Sequence, residues 1–260
     1  MNRLQAGQPH MMMTSKKLEY FENASSFIAE CKTISSSAEL VATFHKHISE
    51  LGFCHFTCTS FCSDSDTPHN AVRLAEYPSE WIEHYIQQSY KKHDRILSVA
   101  RNRIIPFSWD DPVVMHGMTD LQEQIFQEAR ETGIIHGVTV PVYADGFIPA
   151  TINIVGPNRD VDPDVQHALH LMSIYLYDTA VKLRKQEPET LTDRVIELTD
   201  RERECLQWVA EGKSESVIAE LMNISQSTVH FHVENTKRKY GVATRVQAVV
   251  RAFLDNQLLL

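Results

Sequence analysis

Residues 198–260 read LTDRERECLQWVAEGKSESVIAELMNISQSTVHFHVENTKRKYGVATRVQAVVRAFLDNQLLL, and this stretch decides the architecture of the C-terminal part of the chain. Apolar residues recur at helical spacing in four short runs, and a polar residue or a glycine ends each run. The turn Asn223–Ser225 separates the second run from the third. Four short helices with such a turn between the middle pair predict an all-α helix-turn-helix domain over 198–260.

The third run, from Ser225 to Tyr240, has the composition of a helix that reads DNA. Ser225 is a favourable N-cap, and the free N–H groups behind it suit a phosphate. We predict that His230 and Glu234 contact base edges, because neutral histidine can donate to a purine acceptor and glutamate can accept from cytosine N4. Hydroxyl and cationic side chains around this helix are the predicted phosphate contacts: Lys213, Ser227, Thr228, Lys237, Arg238 and Lys239. The alternative is a helical bundle with a solvated polar face.

The same segment resembles a known family. The motifs LT-x-RERE-x-L-x-W-x-A-x-GKS (198–214), IS-x-x-TV-x-x-H-x-x-N (224–235) and K-x-GV (239–242) are similar to the DNA-binding domain of LuxR-type transcription factors. The resemblance implies a signature glutamate at Glu202. It also implies a homodimer on inverted-repeat double-stranded DNA, with residues 246–254 in the dimer interface and RNA polymerase as a candidate partner.

The formal net charge of the 260-residue chain is −9, which looks unsuited to a DNA-binding protein. Residues 198–260 hold eight Lys or Arg and eight Asp or Glu, so this segment is neutral and the excess negative charge lies in 1–197. Local clustering of cations matters more for DNA binding than the sum over the chain. We therefore expect the acidic first part to make no contact with DNA.

Other features of the composition narrow the function further. No run of about 18 apolar residues and no apolar signal core occur, so a cytoplasmic protein without a membrane contact is expected. The five cysteines are an odd number and, like the histidines, show no metal-ligand spacing, so no disulfide framework, metal or cofactor is expected. The methionines at 11–13 leave the start of translation open, and residues 1–14 are expected to be disordered.

Residues 15–184 show a pattern of helices and strands that predicts one domain. The predicted helices are 17–33, 37–51, 78–92, 94–101, 118–132 and 163–184, and the predicted strands are 53–62, 71–77, 136–143 and 148–155, with a loop at 63–70 and a turn at Asp145–Gly146. We therefore expect an α+β chain whose first domain is an α/β/α sandwich around an antiparallel sheet. A charged stretch with Pro188 predicts a linker over 185–197.

One group of aromatic residues in this first domain has the character of a small-ligand site. Trp81 and Tyr85 share one helix face, and Tyr90, Asp94 and Trp109 follow along the chain. Large aromatics with single donors and one carboxylate can line a mostly apolar cavity with a few directed hydrogen bonds. The residues alone also allow a plainer interpretation, in which the aromatics are core and Asp94 is a helix N-cap.

A second resemblance favours the ligand site. The pattern YP-x-x-W-x-x-x-Y-x-x-x-x-Y-x-x-x-D (77–94) is similar to the autoinducer-binding domain of LuxR-type receptors, which bind N-acyl-homoserine lactones. The resemblance implies that Trp81 donates to the lactone carbonyl and that Asp94 accepts from the ligand amide N–H. It also implies that Tyr85 binds a carbonyl on the acyl side.

The resemblance extends to Trp109 and to Gly137, which precedes a T-x-P triplet. It implies that Trp109 packs on the lactone ring. Polar residues of the strands would face the same cavity, with Asn153 serving the amide carbonyl: Thr57, Thr59, Thr139, Thr151 and Asn153.

The chain also departs from the family pattern. The family usually has proline directly after the aspartate, and this chain has Arg95. Thr57 and Thr59 would give the acyl chain polar neighbours, and burying unpaired hydroxyls costs about 1–3 kcal/mol each. We therefore expect a short or an oxo- or hydroxy-substituted acyl chain, or a related signal that is not a lactone.

The leading hypothesis is a quorum-sensing transcription regulator that responds to an N-acyl-homoserine lactone or a related signal. The signal would fill the core of the first domain and so stabilise the folded receptor. A ligand-independent or non-lactone-sensing regulator of the same family is the alternative. A phosphorylation-driven response regulator is disfavoured because two helices precede the first strand, and an enzyme is disfavoured because no nucleophile–base pair or phosphate loop occurs.

Overall fold

The structure is a computed structural model that describes residues 8–62, 71–143, 149–186, 196–255 and 257–258. The described residues form two compact units. Elements up to Gln186 belong to the first unit, and elements from Asp200 onward belong to the second.

The first unit mixes helices and strands. Its described helices are α1 (Gln8–Glu30), α2 (Ser37–Glu50), α3 (Ser79–Gln87), α4 (Arg95–Ala100), α5 (Pro112–Met115), α6 (Asp120–Glu131) and α7 (Pro163–Gln186). Its described strands are β1 (His55–Ser60), β2 (Arg73–Glu76), β3 (Phe107–Ser108), β4 (His136–Val142) and β5 (Ala150–Gly156). A 3-10 turn, Tyr90–Lys92, lies between α3 and α4.

The described strands form one antiparallel sheet in the order β2-β1-β5-β4-β3. Successive side chains of a strand point to opposite faces, and Phe56 and Ser60 of β1 are buried on the same face. The ring of Phe56 lies 4.7 Å from the ring of Phe44 in α2. The hydroxyl of Ser60 lies 3.3 Å from the hydroxyl of Tyr177 in α7. Helices α2 and α7 therefore cover this face, and α1 packs against both.

The opposite face of the sheet is covered by α3 to α6. One cluster of buried residues joins these helices to strands β3 and β5, and it includes Trp81, Phe107, Trp109, Phe126 and Val155. The sheet thus lies between two layers of helices, which confirms the predicted α/β/α sandwich.

The start of helix α1 and the end of helix α3 differ from the sequence prediction. Helix α1 begins at Gln8, so the disorder predicted over 1–14 is wrong from residue 8 onward. The helix predicted over 78–92 ends at Gln87, because Ser89 adopts a left-handed conformation with a φ of 56°. That residue redirects the chain into the 3-10 turn.

Three further expectations fall where the structure describes little or nothing. The loop at 63–70 and the turn at Asp145–Gly146 lie outside the described residues, as does most of the predicted linker, 187–195.

The short helix α5, which the sequence analysis does not predict, follows Trp109.

The second unit consists, within the part of the chain that is described, of the four helices α8 (Asp200–Ala210), α9 (Glu215–Met222), α10 (Gln226–Tyr240) and α11 (Arg245–Leu254). A hydroxyl caps the start of each helix by accepting a backbone N–H of the first turn, at Thr199, Ser214, Ser225 and Thr244. Helix α9 ends at Asn223, whose left-handed φ of 53° turns the chain into α10. The predicted four-helix helix-turn-helix domain is confirmed.

Candidate functional site

Polar residues form two rows across the sheet on the face that α3 to α6 cover. The strand register pairs Thr57 with Asn153, and Asn153 with Thr139, while Thr59 pairs with Thr151. Directly paired residues of antiparallel strands project on the same face. All five strand residues that the sequence assigns to a ligand site therefore lie on one side of the sheet, opposite the face that holds Phe56.

Hydrogen bonds link the longer of these rows into a chain. The indole Nε1 of Trp109 donates to Oγ1 of Thr139 at 2.8 Å, and this hydroxyl donates to Oδ1 of Asn153 at 2.7 Å. Nδ2 of Asn153 then donates to Oγ1 of Thr57 at 3.1 Å. An amide nitrogen carries two hydrogens, so one donor of Asn153 is left without a partner among the described residues.

The ring of Trp109 lies directly on Gly137 of β4. A Cβ at this glycine would sit 2.7 Å from the nearest ring carbon, closer than two carbon atoms can approach. The backbone N–H of Trp109 also donates to the carbonyl of Gly137 at 2.8 Å. Glycine at this position therefore fixes where the indole sits on the sheet, a role that its place in the sequence motif does not reveal.

An aromatic cluster stands above the polar rows. The ring of Trp81 is buried and lies 5.8 Å from the ring of Tyr85 and 6.4 Å from that of Tyr90. All three residues pack in the same cluster of side chains as Trp109. The structure thus brings the predicted aromatic residues of α3 and of the segment before α5 together.

Asp94 joins this cluster to helix α4. Its Oδ1 accepts the backbone N–H of Ile96 at 2.7 Å and that of Leu97 at 3.3 Å, so Asp94 is the N-cap of the helix. Its Oδ2 accepts the hydroxyl of Tyr85 at 2.7 Å. Burial raises the pKa of Asp94, and the hydrogen bonds from Tyr85 and the two backbone N–H groups oppose that rise. The two interpretations of Asp94, helix cap and site residue, are therefore compatible.

Tyr77 is a residue of this site that the sequence analysis did not select. Its hydroxyl is buried without a hydrogen bond among the described residues, and the Thr57 hydroxyl lies close enough to oppose the rise in its pKa. Burial, then the nearby charge of Asp94, raise the pKa of Tyr77. The signal for this residue was the tyrosine that opens the YP-x-x-W motif. The buried Oγ1 of Thr151 is a second hydroxyl without a partner in the described part of the chain.

Arg95 forms a bridge from α4 to α5. Its Nε donates to the carbonyl of Val114 at 3.1 Å, and one terminal nitrogen donates to the carbonyls of Val113 at 2.9 Å and His116 at 3.1 Å. These carbonyls belong to α5 and its C-terminal end, where a cation is favoured. The departure from the family proline therefore adds a contact and leaves the cap at Asp94 intact.

In the second unit, the residues predicted to contact bases have partners within the protein. Nδ1 of His230 lies 3.1 Å from a carboxylate oxygen of Glu215 at the start of α9, and a carboxylate only accepts, so Nδ1 carries the proton. With Nδ1 used on Glu215, Nε2 accepts in a neutral ring and donates in a protonated one, and the sequence analysis expects a donor. Glu234 accepts from Nζ of Lys237 at 2.7 Å.

Lys237, which binds Glu234, is one of the six predicted phosphate contacts, and four others lie at three places in the domain. The hydroxyls of Ser227 and Thr228 each lie 2.7 Å from the Ser225 hydroxyl at the start of α10. Arg238 is exposed beside Asn235, with which it forms a hydrogen bond. Lys213 is half-buried just before the N-cap of α9.

Lys239 is placed differently from the other cations. Its Nζ donates to a carboxylate oxygen of the buried Glu202 at 2.6 Å and to the carbonyl of Glu197 at 2.9 Å. Burial disfavours the charge of Glu202, but Lys239 and the capping contacts with Thr199 outweigh it, so the pKa of Glu202 is lowered. The predicted phosphate contact at Lys239 is therefore replaced by a bond that holds α8 and α10 together.

No described helix is long and apolar enough to cross a bilayer. No group of three or more potential metal ligands occurs within the described part of the chain.

Comparison with known proteins identifies both units. The sequence profile of the autoinducer binding domain matches residues 36–180, and that of the bacterial regulatory proteins of the luxR family matches residues 197–252. Similar proteins include BjaR1 of Bradyrhizobium diazoefficiens, a transcriptional activator, with 29% identity over 70% of this chain and 73% of that protein. They also include the transcriptional activator LuxR of Aliivibrio fischeri, with 28% identity over 74% of this chain and 78% of that protein.

Solved structures show the same fold. The crystal structure of Escherichia coli SdiA matches 93% of this chain and 100% of that chain with a TM-score of 0.72 and 18% identity. SdiA in complex with octanoyl-rac-glycerol matches 91% of this chain and 95% of that chain, with a TM-score of 0.69 and 19% identity. With both profiles matched and the described geometry in agreement, the chain belongs to the LuxR family and is a ligand-responsive, DNA-binding transcription regulator of the quorum-sensing type.

Proposed function

We propose that the first unit binds an N-acyl-homoserine lactone, and that occupancy of this site controls DNA binding by the second unit. The observation that carries the proposal is the carboxylate of Asp94, which is held by Tyr85 and the α4 backbone at the edge of the aromatic cluster. A carboxylate in a fixed orientation is a strong acceptor for one amide N–H. The indole N–H of Trp81, in the same cluster, would donate to the lactone carbonyl.

The acyl carbonyl is better served by Tyr77 than by Tyr85. The hydroxyl hydrogen of Tyr85 is already used on Asp94. The hydroxyl of Tyr77 is buried, lies near Asp94 and has no hydrogen-bond partner among the described residues. An unsatisfied buried hydroxyl costs about 1–3 kcal/mol, and a ligand carbonyl would remove that cost.

The shorter polar row of the sheet, Thr59 and Thr151, indicates which acyl chain the site would prefer. Thr151 Oγ1 is buried without a partner in the described part, and Thr59 is its neighbour across the strands. A keto or hydroxyl group on the acyl chain would give this hydroxyl a partner. We therefore propose a 3-oxo- or 3-hydroxy-substituted acyl chain in preference to a plain one.

An acylated signal without a lactone is the second candidate. SdiA, which shares the fold, has a solved structure in complex with octanoyl-rac-glycerol. A glycerol hydroxyl could donate to Asp94 in place of an amide N–H. Both candidates would occupy the same site. They differ in the group that donates a hydrogen bond to Asp94, which is an amide N–H in the lactone and a hydroxyl in the glycerol ester.

The experiment is calorimetry of the full-length protein with plain, 3-oxo and 3-hydroxy acyl-homoserine lactones and with octanoylglycerol. We expect a substituted lactone to bind most tightly, and Asp94→Asn to weaken it about tenfold or more. Tyr77→Phe should weaken it about tenfold. Asp162→Asn removes another aspartate that accepts a backbone N–H, in an exposed turn before α7, and serves as the matched control.

The result decides between the candidates. Tight binding of octanoylglycerol with weak binding of every lactone would favour the second candidate. If no lactone and no octanoylglycerol gives a heat of binding, the proposed ligand is contradicted and the ligand-independent alternative is supported.

Dimer formation is part of the same proposal. On α11 the side chains of Val246, Val250 and Phe253 are exposed at positions i, i+4 and i+7, which places them on one helix face. A second copy related by twofold symmetry would cover this stripe and would match an inverted-repeat operator. Val250→Glu should lower the dimer fraction in analytical ultracentrifugation, and an unchanged fraction would contradict this interface.

A further inference from the structure

Phe231 is an exposed aromatic side chain in the middle of helix α10. Its side chain is 58% exposed, whereas Val229, Val233 and Thr236 of the same helix are buried. Phe231 is absent from the core cluster of the second unit. Its ring meets the ring of His232 edge-on at 5.7 Å, and this contact does not cover it. The domain core therefore gives no reason for phenylalanine at this position.

The neighbours of Phe231 on the helix surface are polar and belong to the DNA-binding face. Residues three or four positions apart on a helix lie side by side, so Ser227, Glu234 and Asn235 surround the ring. Ser227 lies in the first turn of α10, and Glu234 is a predicted base contact held by Lys237. The ring thus occupies the centre of the surface that α10 would turn toward the major groove.

The major groove offers one apolar group to such a ring. Each base edge there shows donors and acceptors, but thymine alone adds a C5-methyl group, and phenylalanine is one of the side chains that contact it. The polar side chains around Phe231 can form hydrogen bonds with the donors and acceptors of the bases, but they gain no hydrogen bond from a methyl group. A helix that combines them with one exposed ring is suited to a site with a thymine beside the base pair that Glu234 contacts.

We propose that Phe231 contacts the C5-methyl group of a thymine in each half-site and so determines the base at that position. The proposal rests on the placement of α10 in the major groove under the proposed function. Phe231 would recognise thymine in addition to the base contacts predicted for His230 and Glu234. Those two contacts are hydrogen bonds, which do not recognise a methyl group.

The test uses the full-length protein with a saturating 3-oxo-acyl-homoserine lactone and a duplex selected by that protein from a random pool. Each thymine of the selected site is replaced by deoxyuridine, one symmetric position at a time, which removes the methyl group and leaves every hydrogen-bonding atom. Binding is measured by fluorescence anisotropy for the wild type, Phe231→Ala and Phe231→Leu. Leu221→Ala, which removes an exposed apolar side chain from α9, is the matched control.

We expect one thymine position at which deoxyuridine weakens wild-type binding by about fourfold per half-site, the worth of one buried methyl group, and by about fifteenfold when both half-sites carry it. Phe231→Ala should bind the thymine and deoxyuridine duplexes equally well. Phe231→Leu should retain part of the difference, and Leu221→Ala should retain all of it. Circular dichroism melting of each variant confirms that the domain is folded.

Two results would overturn the inference while leaving DNA binding in place. One is that deoxyuridine has no effect on the wild type at any position, which would indicate that the ring serves another partner, such as a protein. The other is that deoxyuridine weakens the wild type and Phe231→Ala equally. If the wild type selects no duplex at all, the proposed function fails, and the inference fails with it.

Discussion

The hydroxyl of Tyr85 donates a 2.7 Å hydrogen bond to Oδ2 of Asp94, whose other oxygen caps helix α4. One carboxylate therefore joins helix α3 to helix α4 and fixes the acceptor that a ligand would meet. Because the pair is formed within the protein, the orientation of the acceptor does not depend on a ligand. Such preorganisation lowers the entropy cost of binding.

We predict that Tyr85→Phe makes ligand binding more sensitive to acid. Burial raises the pKa of Asp94 and the Tyr85 hydroxyl opposes the rise, so its loss should raise the pKa of Asp94 further. A protonated carboxyl accepts an amide N–H less strongly, so affinity should fall as the pH decreases, with a higher midpoint in the variant. Calorimetric titration from about pH 4.5 to 8 measures both midpoints. Tyr143→Phe, which removes a hydroxyl bound to the carbonyl of Ala100, should behave as wild type; an unshifted midpoint in Tyr85→Phe would contradict the prediction.

The contact between Trp109 and Gly137 predicts a steric defect. In Gly137→Ala the new methyl group would meet the indole at 2.7 Å, so the ring must leave the sheet or the strands must separate. Overpacking of this kind costs about 1–3 kcal/mol in the free energy of unfolding, and ligand affinity should fall with it. Urea unfolding measures the first effect and calorimetry the second.

The control for this defect is the double variant Gly137→Ala with Trp109→Phe. The smaller ring makes room for the methyl group, so the two substitutions together should cost less than the sum of their separate costs. Additive costs would show that the clash is not the cause.

Lys239 and Arg238 should separate stability from DNA binding. Lys239→Met leaves the buried Glu202 without its cation, and we expect a loss of about 2 kcal/mol, less than for a fully buried pair because Lys239 is about one-third exposed. Arg238→Met should leave the melting temperature nearly unchanged, weaken binding to all DNA sequences alike and reduce the salt dependence. A stability loss in Arg238→Met together with an unchanged melting temperature in Lys239→Met would contradict the structure.

The same pair has a predicted pH dependence. The pKa of Glu202 is lowered in the folded state, so its contribution to stability is present above the unfolded pKa and is lost as the pH falls through the folded value. The stability difference between wild type and Lys239→Met should therefore shrink as the pH falls from about 4.3, the ordinary pKa of glutamate, through the lower pKa of folded Glu202. Thermal unfolding at a series of pH values measures this difference.

Arg95 should stabilise the segment that follows Trp109. Its guanidinium binds three carbonyls of α5 and the residue after it, and Arg95→Met would release them. We expect faster hydrogen exchange at the amides of Val114 and His116 and weaker ligand binding. Arg95→Pro should behave alike, because proline suits the first position of α4 but makes no such bridge. Arg130→Met on α6 is the control, and unchanged exchange in both Arg95 variants would contradict the bridge.

The sequence by itself determined most of the helices and strands of both units and their sequence motifs, but not strand β3 or helix α5. The helices of the second unit begin at hydroxyl caps, and α9 and α10 end at the left-handed residues Asn223 and Gly241. These signals act within one or two turns. The strand alternation of β1 and the spacing of Trp81, Tyr85 and Asp94 are equally local. Such features can be inferred from residues that are near each other in the chain.

The tertiary structure decided which distant residues meet, and with that the chemistry of each side chain. Lys239 looked like a phosphate contact until the packing of α10 on α8 placed it against Glu202, 37 residues away. Tyr77 is a candidate contact because the fold buries its hydroxyl near Asp94, which the sequence alone does not indicate. Such pairings depend on strand register and on helix packing, and no periodic pattern in the sequence encodes them. The sequence therefore determined where most of the helices and strands lie, and the tertiary packing decided which of their polar groups already have partners and which are left for a ligand or for DNA.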